Sequence, residues 1–469
     1  MTQGQPTVAL CVIARDEEAM IGACLASAWP AVDQVVVIDT GSSDNTAAIA
    51  RAAGAEVHPL TWTGDFSAAR NEALKHVRCD WVLVLDCDER LASWASSAIR
   101  EGVRSDRVDA YVLPLTDASE LAAPPNEVVR GRMALRESVW LLRLFRFSPD
   151  LRWEGCVHEH VRHWLRSRGG RVGTLDAPIA HYGAVPSYRE QRGNSERNLE
   201  LLLKQVQEDP DHWFAQTYLL EELMVRNDMG FVPYAEALSQ RLHSQLLPVL
   251  AQGRAQHGVV KALTAVGVAF LRLCRFQEVE ELVAAGKRAG VIHPNVDYLE
   301  GLAHENQAHG DLGSDRRRLE SAKLAYLRVL GADEQVWLDP LIGGIRSWNG
   351  LLRLSTVFLQ LGHAEDALEG FELALQNPSP AHLDLQLGRS EALISLGRFE
   401  EALIALNPLM QAHPRSSDLA ILVAEALDGL GRFAASSEYW KRARQTASVN
   451  LQGLHRLQRL NLKLAELAS

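Results

Sequence analysis

The segment "WVLVLDCDER" (81–90) runs four apolar residues, Val82 to Leu85, into two aspartates separated by a single cysteine. In a strand, residues two apart share a face, so Asp86 and Asp88 are expected to point the same way. Carboxylates that close repel each other unless a cation or a positive group of a substrate lies between them. The same residues also suit a solvated strand end that leads into a helix, which Asp often starts.

The elements around this pair alternate. "TVALCVIA" (7–14), "QVVVID" (34–39), "AEVHPL" (55–60) and "DWVLVLD" (80–86) read as strands. Between them, residues 16–29, "TAAIARAAG" behind Ser43 or Asp44 as cap, and "SAARNEALKHV" (67–77) read as helices. Such alternation predicts parallel pairing in a doubly wound sheet. Ligands of these sheets bind outside the carboxyl ends of the strands, near the topological switch point. Asp39 and Asp86 both end strands, which puts them in one crevice.

From about residue 195 the pattern turns helical. In "LGHAEDALEGFELAL", "LGRFEEALIALNPLM" and "LGRFAASSEYWKRAR", Gly362, Gly397 and Gly431 lie 35 and 34 residues apart, the tetratricopeptide period. A small residue (Ser355, Ser390, Ala424) stands seven positions before each glycine, and a bulky apolar one (Phe371, Leu406, Trp440) nine after. Small residues let paired helices approach, and bulky ones fill the seam between repeats. Pro380 and Pro414 close two repeats. Helices near 212–225 and 260–290 keep the style without the consensus and read as degenerate repeats. The expected domains are 1–195 (α/β), 196–345 (helical, degenerate repeats) and 346–469 (tetratricopeptide repeats). Such arrays usually hold a peptide or protein on a concave surface.

Composition narrows the classes. The 469 residues exceed what one core usually supports, and 47% hydrophobic with 23% charged residues is ordinary for a soluble globular protein. The net charge of −11 argues against nucleic acid or an anionic membrane as the main partner. Six scattered cysteines fit reduced thiols, and no secretory leader or stretch of about 18 apolar residues is read, so a cytoplasmic protein without membrane insertion is expected.

Taken in order, "CVIARDEEAMIGACLAS", "VVVIDTGSSDNT", "DFSAARNEAL" and "WVLVLDCDE" resemble family 2 glycosyltransferases of the GT-A fold, over roughly residues 7–190. The fold class is thus α/β GT-A (Rossmann-like) followed by an all-α repeat solenoid. The closest likeness is to bacterial transferases that join this domain to tetratricopeptide repeats, among them sublancin-type S-glycosyltransferases acting on peptides.

The resemblance implies roles for individual residues. Asp86 and Asp88 stand where the family's DxD motif holds Mn²⁺ or Mg²⁺ against the diphosphate of a nucleotide sugar, commonly UDP-linked. Asp88 is expected to touch the metal and Asp86 the ribose or the metal's waters, with Cys87 turned into the sheet. Asp39 matches the aspartate that binds the base. Ala14, Arg15 and Glu18 lie in the loop over it, although Glu18 also suits an ordinary first-turn helix acid. Arg70 and Asn71 match helix residues facing the nucleotide sugar, or else decorate a surface. Inverting transfer needs a base for the acceptor's proton. "LRWEGCVHEHVRH" (151–163) offers Glu154, His158, Glu159 and His160, and its Gly-x-Val-His-Glu pattern selects Glu159, paired with His158. The alternative has both histidines bonding loop backbone, and a zinc cluster lacks the i, i+4 histidine pair. His181 in "HYG" completes the metal shell or caps a strand. Arg189, Arg192 and Arg197 close over the diphosphate or line a solvated helix. The implied acceptor is a peptide or protein. Alternatives are a lipid-linked or polysaccharide acceptor with repeats used for assembly, and an inactive scaffold. Sugar and homo-oligomer formation stay open.

Overall fold

The computed structural model describes residues 5–135, 138–192, 194–251, 258–308, 312–332, 342–376 and 382–446. The chain divides into two compact units, one reaching Ala269 and the other beginning at Phe270.

The first unit is built on a nine-stranded sheet. Its strands are β1 (Val8–Ala14), β2 (Gln34–Asp39), β3 (Glu56–Pro59), β4 (Trp81–Val84), β5 (Glu89–Leu91), β6 (Ala110–Asp117), β7 (Val139–Arg146), β8 (Val172–Thr174) and β9 (Ile179–His181). Their order is β3-β2-β1-β4-β7-β6-β9-β5, with β8 beside β6. β1 is apolar throughout because both its faces are covered. Val8, Leu10 and Val12 join one core with Ile21 and Leu25 of helix α1 (Ile21–Ala28), while Ala9 and Cys11 join another with Ala69 and Ala73.

The expected parallel pairing holds for β3-β2-β1-β4. Beyond β4 the expectation needs correction, since β4 pairs β7, and β7 pairs β6, antiparallel. Antiparallel neighbours need no crossover helix, so strand–helix alternation says nothing about them. In the β6–β7 ladder Tyr111 faces Leu144 but Val112 faces Leu142, which leaves Arg143 as the extra residue of a β-bulge.

Helix α1 starts five residues later than the apolar spacing suggests. Asp16 has φ 52°, and its carboxylate accepts from the Ser43 amide at 2.7 Å, so the segment before α1 is a loop tied to the loop after β2. Helix α2 (Thr46–Ala52) follows that loop; Asp44 accepts from the Thr46 and Glu18 amides at 2.9 and 3.0 Å. Helix α3 (Phe66–Lys75) begins at Asp65, whose carboxylate accepts from the Ala68 amide at 3.0 Å.

In the second unit the repeats form helix pairs: Trp348–Leu361 with Ala364–Leu375, His382–Ser395 with Phe399–Ala412, and Ser417–Gly429 with Phe433–Thr446. Gly362, Gly397 and Gly431 each follow the first helix with φ of 84°, 72° and 71°, the left-handed turn that stops a helix. Ser355, Ser390 and Ala424 are buried, as are Phe371, Leu406 and Trp440. A Cβ on Gly388 would lie 2.4 Å from the Phe371 ring, so the absence of a side chain lets that ring in. Pro380 lies outside the described residues. Among the described residues no helix is long and apolar enough to cross a membrane.

Candidate active site

The β4 ladder ends at Val84, and a hydrogen bond from the Glu89 amide to the Asp86 carbonyl (3.0 Å) turns the chain. Asp86 and Asp88 therefore lie in a turn and not in a strand. Each carboxylate has partners of its own. Asp86 accepts from Arg70 Nη2 at 2.9 Å and Arg143 Nη2 at 3.3 Å. Asp88 Oδ2 lies 3.8 Å from His181 Nε2. Cys87 between them is buried in the apolar core, as expected, and burial pushes its thiol well up.

His181 ends β9, where its Nδ1 meets Asp117 Oδ1 at 2.6 Å, which leaves Nε2 toward Asp88. Burial opposes protonation of this imidazole, but the Asp117 hydrogen bond and the Asp88 charge outweigh it and lift the pKa to about 9. A Cβ on Gly183 would lie 2.2 Å from Asp88 Oδ2 and 2.6 Å from His181 Nε2. Glycine thus keeps open the space between a carboxylate oxygen and an imidazole nitrogen. Two metal–donor bonds of about 2.0–2.2 Å can reach across donors 3.8 Å apart, so the pair can take a divalent cation in exchange for the Nε2 proton of the imidazolium. Among the described residues no group of three or more His, Cys, Asp or Glu could hold an ion alone. The remaining ligands would come from substrate phosphates and water, the usual way Mg²⁺ is held.

Asp86 belongs to a chain of ion pairs. Arg70, on α3, binds Glu159 through Nε and Asp86 through Nη2; only 9% of its side chain is exposed, and 12% of that of Glu159. Arg143 binds both Asp86 and Glu89, whose side chains are 43% and 1% exposed. Burial works to raise the Asp86 pKa, yet the guanidiniums of Arg143 and Arg70 hold it well below the carboxylate range. Glu89 goes the opposite way, pushed up chiefly by burial.

Glu159 is carried by a loop closed at its base, where Glu154 and His160 exchange backbone hydrogen bonds of 2.9 and 3.0 Å. Inside it Gly155 and His158 take positive φ, 97° and 55°. Val157 anchors the loop among Leu201, Leu202 and Leu219. His158 stacks on Tyr218 of helix Trp213–Val225, ring centroids 3.8 Å apart. His158 is exposed by area, yet Tyr218 and the Lys261 ammonium crowd its ring, so burial and then Lys261 lower its pKa. It shares the loop with Glu159 but holds it through stacking. Among the described residues neither ring nitrogen of His160 has a hydrogen-bond partner within bonding geometry.

The side chain of Asn71 is taken up by the backbone of the 151–160 segment. Its amide clamps the Trp153 backbone, accepting from N at 2.9 Å and donating to O at 3.0 Å, because the 151–160 segment lacks a strand partner there. Ala14 is the buried last residue of β1, its carbonyl taken by Thr40, and so lies in the sheet and not in a covering loop. Arg15 is exposed, 4.0 Å from Asp16. Glu18 accepts from the Asn45 amide and side chain at 3.1 and 3.0 Å, tying two loops at the strand ends instead of serving a helix turn. Asp39 ends β2 beside Ala14 and accepts from the Ser42 amide at 3.0 Å. Arg197 lies over the Phe66 ring at 5.1 Å, and the side chains of Arg189 and Arg192 fall outside the described residues.

Sequence reading missed Arg143, Glu89 and Asp117. A signal existed for the first: "VWLLRLFR" places a lone arginine inside an apolar strand, where a charge needs a buried partner.

The strand order is that of a Rossmann-like mixed sheet, and the family model that its first strands match is that of a glycosyltransferase. Residues 9–113 match the family model for glycosyl transferase family 2, and residues 358–426 that for the tetratricopeptide repeat. A TPR repeat-containing protein of Synechococcus elongatus is 35% identical over 210 residues, 44% of this chain and 49% of that protein. The SPbeta prophage-derived glycosyltransferase SunS of Bacillus subtilis is 23% identical over 209 residues, 44% of this chain and 47% of SunS. A solved structure of S. aureus TarS (residues 1–349) is 14% identical with TM-score 0.31, over 70% of this chain and 93% of that one. The chain spans about half the length of the curated relatives it matches.

Proposed function

We propose that the protein is an inverting glycosyltransferase moving a sugar from a nucleotide sugar, of the UDP class, to a peptide or protein side chain. One observation carries the reading: Arg70 joins the Glu159 carboxylate to Asp86, in the turn whose Asp88 meets His181. Groups suited to a base and to a diphosphate are thereby linked through one guanidinium.

Asp88 and His181 would hold Mn²⁺ or Mg²⁺, which when bound supplies positive charge against the diphosphate. Asp39 and the loops tied by Glu18 line the side where the base would lie. The acceptor's heteroatom attacks the anomeric carbon from the face opposite the leaving group. Its proton passes to Glu159, the bond to the phosphate oxygen breaks, and the nucleoside diphosphate departs with that electron pair. Arg70 occupies Oε1 of Glu159, and Oε2 carries no hydrogen bond among the described residues, so Oε2 takes the proton. The repeats offer a surface for the polypeptide acceptor. The six free thiols accord with a cytoplasmic setting.

The test incubates the protein with UDP-, GDP- and dTDP-sugars and Mn²⁺. Release of nucleoside diphosphate that stops with chelator supports the reading. No release from any donor, with the protein folded, sinks it.

A further inference from the structure

Arg143 is a costly residue to bury. Only 11% of its side chain is exposed, and its counter-ion Glu89 is 1% exposed. A buried ion pair is often no more stabilising than apolar residues of the same volume, so stability alone does not account for it. Its backbone is also irregular: the bulge between the pairs Tyr111–Leu144 and Val112–Leu142 leaves Arg143 without a partner across the ladder. Bulges near functional sites re-aim a side chain that regular pairing would send elsewhere.

Here the aim is Asp86. Arg143 Nη2 reaches Asp86 Oδ2 at 3.3 Å while Arg70 holds Oδ1 at 2.9 Å, so both oxygens are engaged. Glu89 completes the frame from behind. Its Oε1 accepts from Arg143, and its Oε2 accepts from the Asp86 amide at 3.0 Å. The two acids of the turn are supported alike: Asp117 backs His181, which meets Asp88, and Glu89 backs Arg143, which meets Asp86.

We propose that Arg143, lifted out of register by the β7 bulge and paired with buried Glu89, is the positioning residue that sets the orientation of Asp86 for donor binding. Without it the Asp86 carboxylate keeps only Arg70 as a hydrogen-bond donor, and Glu89 beside it loses its counter-ion. The inference rests on the reading of this turn as a nucleotide-sugar site. Loss of a group that orients a ligand typically costs 10–100-fold in affinity or activity.

The test compares the full-length wild type, Arg143→Met, and Arg143→Met combined with Glu89→Gln. The double variant removes both buried charges and keeps an acceptor for the Asp86 amide. UDP binding in Mn²⁺ is read by calorimetry and stability by thermal melting. The single variant is expected to melt lower, and the double variant to recover most of the melting temperature. UDP affinity should fall about 10–100-fold in both. Recovery of affinity together with stability in the double variant would make the pair merely structural and overturn the proposal, as would unchanged affinity in the single variant. A crystal structure of the double variant decides the matter separately. If the wild type binds no nucleoside diphosphate, the functional reading fails, and the orientation of Asp86 still judges this one: a rotated carboxylate supports it, an unmoved one overturns it.

Discussion

The strand tips of the first unit and the helix seams of the second both rely on a glycine that makes room, and they fill the room oppositely. At Gly183 the space lies between Asp88 and His181, two polar side chains held by further charges. At Gly388 it takes the buried ring of Phe371. The first region carries buried charge of a kind that apolar packing often replaces at little cost in stability. The second follows its periodicity, with small residues against large ones. Departure from apolar patterning therefore marks chemistry in one unit, while adherence to it marks the fold in the other.

The sharpest way to break this contrast is at the turn. Asp88→Ala should abolish sugar transfer and leave the melting temperature near that of the wild type, because the side chain supports no apolar core. Gly183→Ala should also abolish transfer, because its Cβ fills the space between Asp88 and His181. Full transfer by either variant, or by the wild type in chelator, would remove the metal from the account. Glu159→Gln keeps shape and cannot take a proton at neutral pH. Transfer should fall about 10²–10⁴-fold while UDP binding in Mn²⁺ persists. Near-normal transfer would move the base to another acid.

The repeat seam predicts the reverse pattern. Phe371→Ala empties a fully buried site and should destabilise the second unit by about 3–5 kcal/mol. Donor hydrolysis by the first unit should be unchanged under conditions where both remain folded. A loss of hydrolysis matching the loss of stability would erase the distinction between the regions.

The smallest effect concerns His160. Burial, then the charges of Arg162 and His212, depress its pKa to about 4 in the fold, against about 6.5 in an unfolded chain. Between those values the unfolded chain binds the proton and the folded one does not. Stability present above pH 6.5 is thus lost as pH falls toward 4, by at most about 1.4 kcal/mol per pH unit from one proton. His160→Phe should flatten the melting temperature between pH 6.5 and 5. An unchanged slope would assign the acid sensitivity to other groups.

Much of this architecture is legible in the amino-acid sequence, for a physical reason. Strands covered on both faces must be apolar throughout, so β1, β2 and β4 announce themselves. Repeats that pack only against their neighbours must recur in period, so Gly362, Gly397 and Gly431 announce theirs. The motifs around Asp39, Asp86 and Glu159 are short runs set by local backbone, and they too survive as text. Tertiary structure alone decided which way each carboxylate faces. Asp86 meets Arg70 and Arg143 while Asp88 meets His181, in a turn that begins where the ladder stops at Val84. Arg143 reaches Asp86 because a bulge with no sequence signature shifts it by one residue. Asn71 goes to Trp153, and His158 to Tyr218, through contacts 82 and 60 residues apart in the chain. Local propensity is written residue by residue, whereas pairing of buried charges depends on which distant elements the sheet brings together.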